Sequence, residues 1–222
     1  MFAVDRHRKG PEMIRQLLVA STVLLASCGP KSLTLPDQPV DRAATCGVIA
    51  ANSARLATHD IQAALPFEAM GRIIHYPLLA GSAEGSFSSE IAADVKARMT
   101  EVQDRISEGK WQELIPACQT AFPATAVERV KLPVDRFDAQ LGCVELGDFL
   151  RAALEDQGEY ANELAEYREL SMKLEATLST GVRNRAGPDL GARQEERRKA
   201  LATIATAGPP VAVLRECLAR FG

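Results

Sequence analysis

Apolar residues recur at intervals of three and four along most of this chain, and nowhere do they alternate with polar ones long enough to require a strand. The clearest case is Ile91, Val95, Met99, Val102 and Ile106, whose steps of four, four, three and four draw one stripe down a helix. Ser88 or Ser89 is placed to cap that helix, and Gly109 ends it. Upstream, Asp41 opens a helix expected to run to about Leu65, with Cys46, Ile49, Ser53, Leu56 and Leu65 on roughly one side, and Pro66 stops it. Residues 67–75 predict a short helix through Ile74, followed by a turn at Tyr76-Pro77. Trp111, Ile115, Cys118 and Phe122 share a face provided that Pro116 sits in a first turn, because a helix-interior proline costs ~3 kcal/mol.

From Asp135 the stripe Cys143, Leu146, Leu150, Leu154 predicts the next helix, and Gly158 breaks it. Tyr160, Leu164, Tyr167, Leu174 and Leu178 mark another. A charged helix from about Leu190 to Thr206 carries Glu195 four residues before Lys199, the favourable orientation. Pro210 then pre-organises a last helix with Val211, Leu214, Cys217, Leu218 and Phe221 facing inward. The fold class expected is all-α: a disulfide-stapled helical bundle of six or seven helices, with irregular short helices near 67–75 and 110–122. Residues 41–222 read as one helical domain with no internal repeat.

The N-terminal region has a different pattern. Arg6, Arg8, Lys9 and Arg15 precede the apolar run Leu17–Ala26, which ends in small residues. This is the layout of a secretory signal, residues 1–27, and Met13 is a second possible start because the signal is complete without the twelve residues before it. Ten apolar residues rise only ~15 Å as a helix, half of a ~30 Å hydrocarbon core, so a permanent span is not expected. Leu25-Ala26-Ser27-Cys28 resembles the lipobox of bacterial lipoproteins. The resemblance is confined to about the first thirty residues. It implies cleavage before Cys28 and acylation of that cysteine; Gly29 in place of an aspartate implies the outer membrane. The alternative is an ordinary cleaved signal with Cys28 left as a free thiol. Residues 28–40, with three prolines among 29–42, read as a lipidated tether, the alternative being an arm packed on the domain.

Cysteine parity bears on the same question. Five cysteines cannot all pair, but setting Cys28 aside leaves Cys46, Cys118, Cys143 and Cys217, an even set suited to an oxidising compartment. Three pairings exist. Sequence neighbourhood favours Cys118–Cys143 with Cys46–Cys217 over Cys46–Cys118 with Cys143–Cys217. No Cys-x-x-Cys occurs, so structural bridges lead over a redox or metal site.

Composition narrows the rest. Without the leader, the 26 basic residues lose Arg6, Arg8, Lys9 and Arg15, and the 29 acidic ones lose Asp5 and Glu12, which leaves a net formal charge of −5. A mildly acidic chain with no basic cluster offers little to phosphate backbones, so nucleic acid is not an expected partner. Hydrolase, phosphate-loop, dinucleotide and zinc-protease motifs are missing, and no cofactor or metal is expected. Two features remain. His59, His75 and the adjacent Tyr76 would form a ligand or catalytic pocket if the two imidazoles converged. Glu155, Glu159, Glu163 and Glu166 fall within ~80° of one another on a helical wheel, a face for a basic protein partner or simply a solvated surface. The expectation is a lipid-anchored envelope protein at the outer membrane, its domain in the periplasm, acting as a non-catalytic interaction or structural module. The alternative is a small-molecule-binding protein or enzyme with its pocket near His59, His75 and Tyr76.

Overall fold

The structure, a computed structural model, describes residues 32–58 and 62–222. The leader, Cys28 and His59 lie outside the described residues. Among those described, every regular element is helical: α1 (Pro39–Ala57), α2 (Phe67–Gly81), α3 (Ser89–Ser107), α4 (Ile115–Ala121), α5 (Arg136–Leu154), α6 (Ala161–Ala186), α7 (Leu190–Ala205) and α8 (Pro210–Phe221), with 3-10 turns at Trp111–Leu114, Pro123–Ala126 and Gly158–Tyr160. Eight helices replace the six or seven expected.

Local signals account for most boundaries. Ser88 Oγ accepts from the Ile91 amide to start α3, and Asp135 and Asp189 do the same for α5 and α7. Pro39 and Pro210 occupy first turns, where a missing amide costs nothing, and Pro116 sits in the first turn of α4. The α3 stripe is as expected: Ala92, Val95, Val102 and Ile106 are buried, with Ile91 and Met99 packed at the margin.

Two expectations fail in the first hundred residues. α1 stops at Ala57 rather than near Leu65, and Leu56, expected inside, is 72% exposed. α2 does not turn at Tyr76-Pro77; it runs through Pro77 to Gly81. The proline leaves one carbonyl of the preceding turn without its amide, and burial of Tyr76, Pro77 and Leu78 around it offsets that cost.

Among the described residues the order and packing of the helices recur, a pattern that the sequence reading, which found no internal repeat, did not anticipate. α1 and α5 are each 19 residues long and each carries a cysteine at its eighth position, Cys46 and Cys143. α1 packs against α2 and α3, which also touch each other; α5 packs in the same way against α6 and α7. The half ends in a helix bearing Cys-x-x-x-Phe, Cys118 to Phe122 in the first and Cys217 to Phe221 in the second. Even the approach to the first helix recurs. Leu33-Thr34-Leu35-Pro36 and Val130-Lys131-Leu132-Pro133 stand 97 residues apart. Leu33 lies against Gly109, where a Cβ would come within 2.6 Å of it, and Val130 lies against Gly208, where a Cβ would come within 3.2 Å. The described end of the presumed tether, residues 32–38, is therefore a docked arm: Leu33 and Leu35 pack on the core of the first half.

The disulfides follow the duplication. Cys46 bonds to Cys118 and Cys143 to Cys217, so the favoured pairing Cys118–Cys143 with Cys46–Cys217 is corrected. Each bridge joins the first helix of a half to its last. The loop before α5 is the border between the halves.

Candidate functional site

A mostly apolar concavity lies in the first half, among α1, α2 and α4, beside the Cys46–Cys118 bridge. It has a volume of about 440 Å³. Ile49, Ala50, Ser53, Ala54 and Ala57 form the α1 wall, Tyr76 and Ala69 the α2 wall, and Ile115 and Cys118 close it from α4. Most of the wall is carbon, and its hydroxyls are spoken for. Ser53 donates to the Ile49 carbonyl at 2.8 Å, and Thr58 donates to the Arg55 carbonyl at 2.8 Å. The Tyr76 hydroxyl bonds to Thr125, which itself donates to the Phe122 carbonyl at 2.8 Å. Burial holds the Tyr76 phenol above its ordinary pKa, so this group is neutral.

Two charged side chains of α2 stand at the mouth, Glu68 and Arg72, one turn apart. Glu68 is ion-paired with Arg215 of α8, and that guanidinium holds its carboxyl below the usual range. Arg72 is exposed and makes no hydrogen bond or ion pair among the described residues, although its charge reaches Glu68.

Of the two described residues expected to make a pocket, Tyr76 is on this wall and His75 is not. His75 is fully buried; its Nε2–H donates to the Ala205 carbonyl of α7 at 2.8 Å, and Nδ1 has no partner. Burial drives its pKa down to about 4. The ring therefore serves as a neutral cross-link between α2 and α7 and does not line the cavity.

The acidic stripe is also redistributed. Glu155 follows the end of α5, Glu159 lies in the 3-10 turn, and Glu163 and Glu166 lie on α6. The helix breaks between Leu154 and Ala161, so the four exposed carboxylates do not line one straight face. A wider concavity of about 570 Å³, between the loop after α2 and helices α5 and α7, is more polar. At its edge Arg197 bridges Glu145 and Glu175 at 2.6 Å each. Among the described residues no three metal-ligating side chains converge, and no helix is long and apolar enough to cross a membrane.

Sequence reasoning missed the cavity and Arg72. The available signal was the run of small side chains Ala50, Ser53, Ala54 and Ala57 on a helix face that should have been packed with leucine. Comparison with protein-family models, with curated proteins and with solved structures gives no match in any of the three.

Proposed function

We propose that this chain is a lipid-anchored envelope protein whose helical domain faces the periplasm and works by binding rather than by catalysis. The observation that carries the proposal is the fate of the cysteines. All four that follow Cys28 are consumed in two intramolecular bridges, which suits an oxidising compartment and leaves Cys28 as the odd one, directly after a signal-like apolar run. Acylation gives that cysteine a role, and two or more chains anchor stably where one does so only reversibly.

The experiment is metabolic labelling with an alkyne-bearing fatty acid in cells that express the full chain. The expected result is a labelled protein, loss of the label in Cys28→Ala, and no thiol reactive toward maleimide after denaturation without reductant. An unlabelled wild type, or a Cys28→Ala variant labelled as strongly as the wild type, overturns the anchor.

A further inference from the structure

The first and last helices of the two halves can be compared position by position, and their inward faces differ. Ile49, Ala50, Ser53 and Ala57 of α1 correspond, 97 residues on, to Leu146, Gly147, Leu150 and Leu154 of α5. Ile115, Cys118 and Gln119 of α4 correspond, 99 residues on, to Leu214, Cys217 and Leu218 of α8. In the second half these positions are solid core: Leu146, Leu150, Leu154 and Leu214 are at most 1% exposed, and Leu218 packs against them. In the first half three of the leucines are replaced by Ser53, Ala57 and Gln119, and the same place is the 440 Å³ cavity. One copy of the unit is filled; the other is hollow.

A cavity with these walls is a poor host for water, which needs two to four polar partners, and the hydroxyls here already bond within the protein. An apolar body fits it, and ~300–1,000 Å³ is the usual size of a small-molecule site. The mouth selects the other end of the ligand. Glu68 is neutralised by Arg215, so the uncommitted charge at the rim is the Arg72 guanidinium. We infer that the first half holds a binding site for a single-chain amphiphile with an anionic head, a long-chain carboxylate, whose tail takes the place of the missing leucines and whose head pairs with Arg72. The site depends on the duplication and the cavity, not on the anchor proposed above.

The test is photolabelling of the purified, processed full chain with a diazirine-bearing hexadecanoic acid, competed with unlabelled hexadecanoic acid and with hexadecanol, followed by peptide mapping. Saturable label on residues 49–58 and 66–76 is expected, with the acid competing better than the alcohol. Restoring the second half's residues in Ser53→Leu/Ala57→Leu should abolish the label and raise Tm, so lost binding is not confused with unfolding. Arg72→Gln should weaken competition by the acid by about tenfold and leave the alcohol unchanged. Cys28→Ala, run alongside, should keep the label whether or not the anchor exists. No saturable label, label spread over the surface, or label that survives the double leucine variant overturns the site; equal competition by acid and alcohol in the wild type overturns the role of Arg72.

Discussion

His75 shows how a single residue can be chosen correctly as special and for the wrong reason. A histidine next to a tyrosine at a supposed turn suggests chemistry, but whether an imidazole faces a cleft or a core depends on whether the backbone turns. Here Pro77 does not end the helix, so the ring points into the packing between α2 and α7. The sign of its pH effect follows. Its pKa falls from 6.5 to about 4, chiefly because burial disfavours the charged ring, and the bond to Ala205 opposes that only in part. Below about pH 6.5 the unfolded chain takes up a proton that the folded one refuses, so stability falls as pH drops from 6.5 toward 4 and the loss then levels off. The full loss is about 3 kcal/mol at most. Half-buried Glu145 acts in the opposite sense, since desolvation raises its carboxyl pKa, so the wild type must be compared with His75→Gln at each pH. Urea midpoints should show the wild type losing stability to acid faster than His75→Gln, which keeps a donor for Ala205 but does not titrate. Parallel pH curves would show that the ring is not the titrating group.

At the level of elements, the all-helical class and most helices could be read from the sequence because a 3.6-residue stripe is set by neighbours within the same segment. α3 is an example in which stripe, cap and terminator agree. What failed depends on distant partners: the end of α1, the continuation of α2, and the pairing of cysteines. The two bridges close loops of similar length, 72 and 74 residues, each worth about 4 kcal/mol in the chain-entropy account. Their local roles nevertheless differ. α8 is 12 residues long and packs on α2, α5 and α6, whereas α4 has seven residues and, of the major helices, packs chiefly on α1. Removing Cys46–Cys118 by the double alanine substitution should therefore free α4 and its 3-10 turn, raising amide exchange across residues 111–121 far more than elsewhere. Removing Cys143–Cys217 should lower global stability by a comparable amount while α8 stays protected up to the main transition. Equal local loosening of α4 and α8 would show that the bridge, not packing, holds both.

For the molecule as a whole, the duplication escaped the sequence reading because its fixed points are few and scattered. Two cysteine pairs, the Leu/Val-x-Leu-Pro arms, Gly109 and Gly208, and the Cys-x-x-x-Phe ends recur, while the residues between them share only a helical period that any bundle shows. The cavity was illegible for the same reason: Ser53 and Ala57 are unremarkable until set beside Leu150 and Leu154. The halves meet chiefly along α2 and the loop after it. Phe67 packs against Tyr160 and Tyr167 at centroid distances of 5.5 and 6.0 Å, Tyr160 donates to the Leu65 carbonyl at 2.6 Å, Gly71 admits Val211, and His75 reaches Ala205. This seam sets the cooperativity of unfolding. Trp111, the one tryptophan, reports on the first half, and far-ultraviolet circular dichroism reports on both. In the wild type the two signals should trace one transition. Phe67→Ala should cost about 3–5 kcal/mol at the seam and separate them, with Trp111 changing before the helical signal is half lost, because the hollow half has the thinner core. Coincident curves in Phe67→Ala, shifted together to lower urea, would mean that the halves share one core after all.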